Sequence, residues 1–223
     1  MIRFIFCLII ISYVGFASRL DSLENVLKNN DSKNRVRFLN DLSIEYYDKN
    51  PNKFLELTYQ SLKENEKIED NLEKFISLTN LAFYYYQKDS IKEKSYYEKA
   101  YLILPEIKDN EKSVAYYQLV RNFENKKISD SIYNYSYLAY KFSELDKNIL
   151  VNLKIRNTYS SVLRNRGNYK EAIKITEEMI DISKKNNLLD WIAQSNAVMG
   201  LVLRDWKKYD MSIQKFSEAI SQM

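Results

Sequence analysis

The chain of 223 residues carries 34 Lys and Arg against 30 Asp and Glu, a formal net charge of +4 that is too weak to argue for a nucleic-acid partner. With three glycines and two prolines it cannot supply the many tight turns of a β-sandwich or barrel, and helices joined by short polar connections are the economical alternative. It has no histidine, and its one cysteine, Cys7, lies in an apolar leader; His-based acid–base chemistry, a Cys nucleophile, an intrachain disulfide and a Cys/His zinc site are excluded together.

Residues 1–18 read MIRFIFCLIIISYVGFAS, one Arg followed by an apolar run that falls short of the ~20 residues a spanning helix needs. Gly15 and Ala17 occupy the small-residue positions of a signal-peptidase site, so residues 1–17 are expected to be a signal peptide cleaved after Ala17. Cys7 sits mid-leader, where it cannot be a lipoprotein cysteine. Export of a chain with no cysteine after cleavage fits a bacterial periplasm; the alternative is an uncleaved leader anchoring the protein in the inner membrane. In residues 18–33 Leu20, Leu23, Val26 and Leu27 form one apolar stripe, an amphipathic helix broken by Asn29, Asn30, Asp31 and Ser32.

From there to the last residue the pattern is helix, polar break, helix, with no Gly-, Ser- or Pro-rich linker. Residues 34–223 therefore read as one uninterrupted array. The segments SDSIYNYSYLAYKF (129–142), YKEAIKITEEMIDI (169–182) and YDMSIQKFSEAISQ (209–222) put small and bulky residues in the same columns, 40 residues apart. The preceding segments agree: Leu119, Tyr159 and Met199 share a column, as do Val120, Ser160 and Gly200. Two earlier units fit at a spacing of 39, giving hairpins at about 35–66, 74–106, 113–145, 153–185 and 193–223. Small residues such as Ala100, Ala172, Ser212 and Ala219 let helix axes approach closely, while Tyr97 and Phe216 fill the space a turn away. One such hairpin cannot bury its own apolar face, so neighbours must stack.

These columns resemble the tetratricopeptide repeat family. The best matches are Met199 and Gly200 with Leu203, Ser212, Phe216 and Ala219, then Gly167, Asn168 and Tyr169 with Ala172, and Tyr96 to Ala100 ending at Pro105. The large residue that opens each unit is missing from the last two, where Arg156 and Asn196 stand, and the connections are longer than the family minimum. The resemblance implies an all-α fold, an α-α superhelix in the form of a right-handed solenoid of about five hairpins. It also implies a non-catalytic module that binds a protein or peptide, with no cofactor and no metal. In that family the first helix of each hairpin lines the inner groove. By column the groove candidates are Tyr47, Phe83 and Tyr86 with Ile44; Tyr117 and Arg121 with Glu124; Asn157 and Arg164 with Ser161; and Arg204 with Leu201. Rings early and arginines late would suit an extended peptide with an acidic or free carboxyl end. The same rings equally serve as packing between repeats, and the arginines as a solvated face. The Lys/Asn carboxylate clamp of chaperone-binding members is absent, since its columns hold Tyr117 and Arg121, or Asn157 and Ser161.

The leader, the SRLDSLENVLK helix and RVRFLNDLSIEYYDKNPNKFLEL together are similar to the exported sensor region of Bacteroidetes signalling proteins, in which a membrane helix and a histidine kinase or helix-turn-helix output domain follow the repeats. That implies a periplasmic sensor portion whose output domain is not in this chain; the alternative is a free-standing periplasmic adaptor of an envelope complex. Ile213, Phe216 and Ile220 give the last helix an apolar face with no polar cap after it. The expectation is either a longer chain or docking of that face on a partner or a second copy, as in a homodimer. Membrane contact is expected only through an uncleaved leader or a further C-terminal segment.

Overall fold

A computed structural model describes residues 32–126 and 129–222. The expected signal peptide and all but the end of the expected amphipathic helix lie outside the described residues. Among those residues there are ten α-helices and no strand: α1 Ser32–Tyr46, α2 Pro51–Asn65, α3 Asn71–Tyr85, α4 Ser90–Ile103, α5 Asp109–Lys126, α6 Ser129–Ser143, α7 Ile149–Asn165, α8 Tyr169–Lys185, α9 Leu189–Asp205 and α10 Tyr209–Ser221. Consecutive helices pack as five hairpins, α1 on α2 through α9 on α10.

Local chemistry sets where the helices begin and end. Asn50, Asp70, Asp89 and Asn148 each turn a side-chain oxygen onto a backbone N–H of the following first turn, and Pro51 takes the first helical position, where its missing N–H costs nothing. Three later helices stop in one way. Asn168 N donates to Leu163 O at 2.9 Å, Leu188 N to Ser183 O at 2.9 Å and Lys208 N to Leu203 O at 2.8 Å. The residue before each donor is left-handed, with φ of 77° at Gly167, 54° at Asn187 and 62° at Lys207.

Contacts gather the chain into two compact units, one ending at Glu106 and the next beginning at Ile107. The sequence reads as one array because composition does not change there; the local signal is Pro105, in a 3-10 turn (Leu104–Glu106) that follows α4.

In the first unit α1 also packs on α3. Leu39, Leu42 and Leu57 form a buried cluster against Tyr46. A chain of polar groups runs beside it. Asn40 Nδ2 donates to Glu73 Oε2 at 2.8 Å, Ser77 Oγ donates to Asn40 Oδ1 at 2.8 Å, and Ser61 and Ser77 hydroxyls lie 2.9 Å apart. Glu73 is 7% exposed, and burial, with Asp41 and Asp70 nearby, outweighs Asn40 and Arg37 and pushes its carboxyl up to about 7.

In the second unit the first helices start at Asp109, Ile149 and Leu189 and the second helices at Ser129, Tyr169 and Tyr209, forty residues apart in both series. Besides the hairpins, α5 packs on α7 and α7 on α9. Tyr159, Leu163, Ala172, Ile175 and Val202 make one buried cluster. Next to it Arg156, 5% exposed, replaces the large apolar residue of the repeat pattern. Its guanidinium donates to Glu178 Oε2 at 3.2 Å, to Ser143 Oγ at 2.9 Å and to Asn152 Oδ1, and lies over the Tyr140 ring. The Tyr140 hydroxyl donates to both Glu178 oxygens at 3.1 Å. Burial first, then the adjacent Glu178 carboxylate, push this phenol up to about 12. In the last hairpin Phe216 lies against Gly200, where an added Cβ would fall 2.8 Å from the ring.

Two outcomes follow. A carboxyl whose folded value stands near 7 against an ordinary 4.5 binds its proton more tightly in the folded chain, so its contribution is full below about pH 4.5 and is lost as pH rises through 7. Urea unfolding is therefore expected to show lower stability at about pH 8 than at about pH 5, and Glu73→Gln should remove roughly 1–3 kcal/mol of that difference. Gly200→Ala should cost about 0.5–2 kcal/mol in the same measurement, because displacing the Phe216 ring costs more than the ~1 kcal/mol that Ala gains over Gly within a helix.

Candidate partner-binding faces

The candidates of the first unit lie at the C-terminal ends of α1 and α3. Tyr47 follows the last residue of α1, half-buried, its ring 4.4 Å from Phe83 and 5.3 Å edge-on to Phe54. Burial, with Asp48 beside it, raises its phenol. Phe83, expected at the groove, is 7% exposed; it supports the Tyr47 ring and offers no open face of its own. Tyr86 caps α3, its N–H directed at the Ala82 and Phe83 carbonyls, and is half-buried.

A second group of rings in this unit was not picked out by column. Phe54 stacks on Tyr84 at 5.8 Å, Tyr84 meets Tyr85 edge-on at 5.2 Å, and Tyr85 stacks on Tyr96 at 5.7 Å. The Tyr59 hydroxyl lies 3.0 Å from that of Tyr96 and 3.4 Å from that of Tyr85. Lys88, Lys92 and Lys99 stand over Tyr84, Tyr85 and Tyr96. The signal was present in the run Tyr84, Tyr85, Tyr86 with lysines a helical turn away, but single-column reading takes one ring per turn.

In the second unit Tyr117 and Arg121 are on α5, Asn157 and Arg164 on α7, and Arg204 on α9. The structure joins two of these through Asp205. Arg164 Nε lies 3.4 Å from Asp205 Oδ2, while Arg204 Nε and Nη2 reach Asp205 Oδ1 at 2.9 and 2.8 Å. One carboxylate thus serves two guanidiniums, and the expected basic end keeps one net positive charge. Asn157 Oδ1 is buried with no hydrogen-bond partner, and Arg164 Nε has only the ion pair and no hydrogen bond. On α5 the Glu124 carboxyl is raised by desolvation, and Arg121 opposes that shift. Tyr117 is half-buried and Arg121 exposed.

This is chemistry for holding a carboxylate: two guanidinium donors, with an internal acid as placeholder. Among the described residues no group of three or more Cys, Asp or Glu is arranged to hold a metal ion, and no helix is long and apolar enough to cross a membrane.

No family model and no curated protein matches the sequence. Solved structures do. BtubC (BKLC) from P. vanneervenii superposes with a TM-score of 0.65 at 13% identity, over 94% of this chain and 88% of that one. The nearly identical TPR-like repeats of a putative kinesin light chain from Podosopora anserina give 0.64 at 12% identity, over 84% and 94%. The apo form of RapI gives 0.56 at 21% identity over 67% of this chain, which spans 56% of RapI's length. At these identities the likeness establishes the fold, an all-α array of tetratricopeptide-like hairpins.

The packing role of Tyr47 can be separated from any role toward a partner. Tyr47→Ala should lower stability by about 2–3 kcal/mol in chemical denaturation, since it removes the ring between Phe54 and Phe83, whereas Tyr47→Phe should change it by less than about 0.5 kcal/mol.

Proposed function

We propose that this chain is a non-catalytic module that binds a protein or peptide segment. We further propose that it forms the periplasmic sensor portion of a signal-transduction protein. The observation that carries the binding reading is Asp205 held between Arg164 and Arg204. A peptide carboxylate, from an acidic side chain or a free C terminus, takes the place of Asp205 on the two forks. Contact with successive first helices then favours the spacing of hairpins that fits the ligand best, by its differential affinity for the two states. The tetratricopeptide-like fold supports the reading, because such hairpins present a row of parallel first helices to a partner. The periplasmic and sensor parts rest on the leader of residues 1–17 and the likeness of the segments after it to exported sensor regions.

A fluorescein-labelled acidic peptide with a free C-terminal carboxylate tests the binding part by anisotropy. Asp205→Asn should tighten binding about threefold or more by freeing both arginines, and the Arg164→Met, Arg204→Met double variant should abolish it. Equal affinity for amidated or basic versions of the peptide, or weaker binding by Asp205→Asn, would count against the site. Fusing residues 1–17 to a periplasm-dependent reporter enzyme tests export, and an inactive reporter would remove the sensor reading. Reading the native gene past codon 223 shows whether ~20 apolar residues and an output domain follow.

The exposure of Ile213 and Ile220 on α10, 65% and 72%, favours a second reading as an adaptor that docks through this helix, on another protein or on a second copy. Sedimentation velocity distinguishes the case of a second copy: a dimer that Ile213→Glu with Ile220→Glu converts to monomer supports it, and a monomer throughout excludes it.

A further inference from the structure

The repeat of forty residues allows one layer of the second unit to be compared directly with the next. Around Tyr159 on α7 the rings of Tyr133, Tyr137 and Tyr140 on α6 stand at 6.4, 6.1 and 5.1 Å, so that layer is filled with aromatic volume. Forty residues on, the same four columns hold Ile173, Glu177, Ile180 and Met199. The smaller side chains do not fill the layer. A cavity of about 280 Å³ opens between α8, α9 and α10, with Ile173, Ile180, Met199, Leu203 and Met211 as its apolar lining. Its volume is near the lower end of the ~300–1,000 Å³ of small-ligand pockets, about the scale of a single large side chain.

The rim is charged. Glu177 and Asp181 stand one turn apart on α8, both exposed, and neither carboxylate has a partner among the described residues. Lys215, across the opening on α10, is held by Glu218 at 2.7 Å and does not neutralise them. An apolar cavity with two open carboxylates at its lip calls for an apolar group flanked by positive charge.

We propose that this cavity takes an aromatic side chain from a partner peptide with Lys or Arg beside the aromatic residue. The ring supplies the volume that tyrosines supply one layer earlier, and the cation pairs with Glu177 and Asp181. This site uses α8, α9 and α10 and is chemically opposite to the paired arginines, so it does not depend on the carboxylate-binding site proposed above.

Three methionines make the test direct. Met199 and Met211 line the cavity, while Met179 on α8 is fully buried and lines none of it. Methyl-¹³C methionine labelling of the protein, with acetyl-Lys-Tyr-Lys-Ser-amide as the probe, should give saturable shifts of Met199 and Met211 and leave Met179 unmoved. Probes with Ala in place of Tyr, or Glu in place of Lys, should bind about fivefold more weakly or worse. Met199→Tyr, which restores the ring of the preceding layer, should abolish the shift of Met211 while the helical circular dichroism is retained. If that variant fails to fold, Glu177→Gln with Asp181→Asn, both at exposed positions, must weaken the basic probe to the level of its acidic counterpart. Absence of shifts, equal shifts with the control probes, or unchanged binding by a folded Met199→Tyr protein would overturn the proposal. Arg164→Met with Arg204→Met should leave these shifts intact, so failure of one site is not failure of the other.

Discussion

Everything in this fold depends on how closely the two helices of a hairpin approach. Side-chain hydroxyls cross the gap to the partner helix's backbone. Ser160 Oγ on α7 donates to the Ala172 carbonyl on α8 at 3.2 Å, and Ser212 Oγ on α10 donates to the Gly200 carbonyl on α9 at 2.8 Å. Such a bond forms only where the side chains at the crossing are small, and Ser160 with Ala172 and Gly200 with Ser212 meet that condition in the last two hairpins, whereas Val120 and Ile132 stand in the same columns one repeat earlier. The close crossing in turn sets where bulk must go: Phe216 over Gly200, and Tyr159 amid three other tyrosines in the layer before. A hairpin built this way leaves one apolar side unfilled, and the next hairpin must cover it. Packing, not helix propensity, therefore decides the stability of α5 through α10.

The same constraint explains what could be read from the residues alone. The crossing of α7 with α8 recurs in α9 with α10, and the forty-residue period of 129–142, 169–182 and 209–222 reappears as the helix starts at Ser129, Tyr169 and Tyr209. Candidate faces followed less well, because a column gives the side of a helix on which a residue lies and not the partner it meets. Spacing puts Tyr47 and Phe83 on one face but carries no sign that Phe83 lies beneath Tyr47. Arg164 and Arg204 share a column forty residues apart, while Asp205 between them stands in a column that otherwise holds Asn125 and Asn165 and so carries no charge signal. The cavity between α8, α9 and α10 is a volume deficit spread over four columns, invisible when each column is scored for hydrophobicity. The break between Glu106 and Ile107 left only Pro105 as a local mark.

Polar groups inside this chain carry a different kind of information from its apolar ones. Arg156 takes a position that the repeat pattern gives to a large apolar side chain, and it remains tolerable because Ser143, Asn152, Glu178 and the Tyr140 ring satisfy its guanidinium. Removing any one partner leaves a buried charge short of compensation. Glu73 with Asn40 and Ser77 is the corresponding group in the first unit. Each network ties side chains of neighbouring helices to specific partners.

The left-handed residues at Gly167, Asn187 and Lys207 carry a consequence for how the array can grow. The first and third close turns inside hairpins, and the second closes the turn between hairpins, with the same pattern of backbone hydrogen bonds. From α7 to α10, a junction inside a hairpin and a junction between hairpins are thus interchangeable parts. A copied block of forty residues arrives with both of its seams already made, and recombination that duplicates or deletes such a block meets no new backbone chemistry at either end. Under that arithmetic, related chains are expected to differ in length by whole hairpins far more readily than by a few residues.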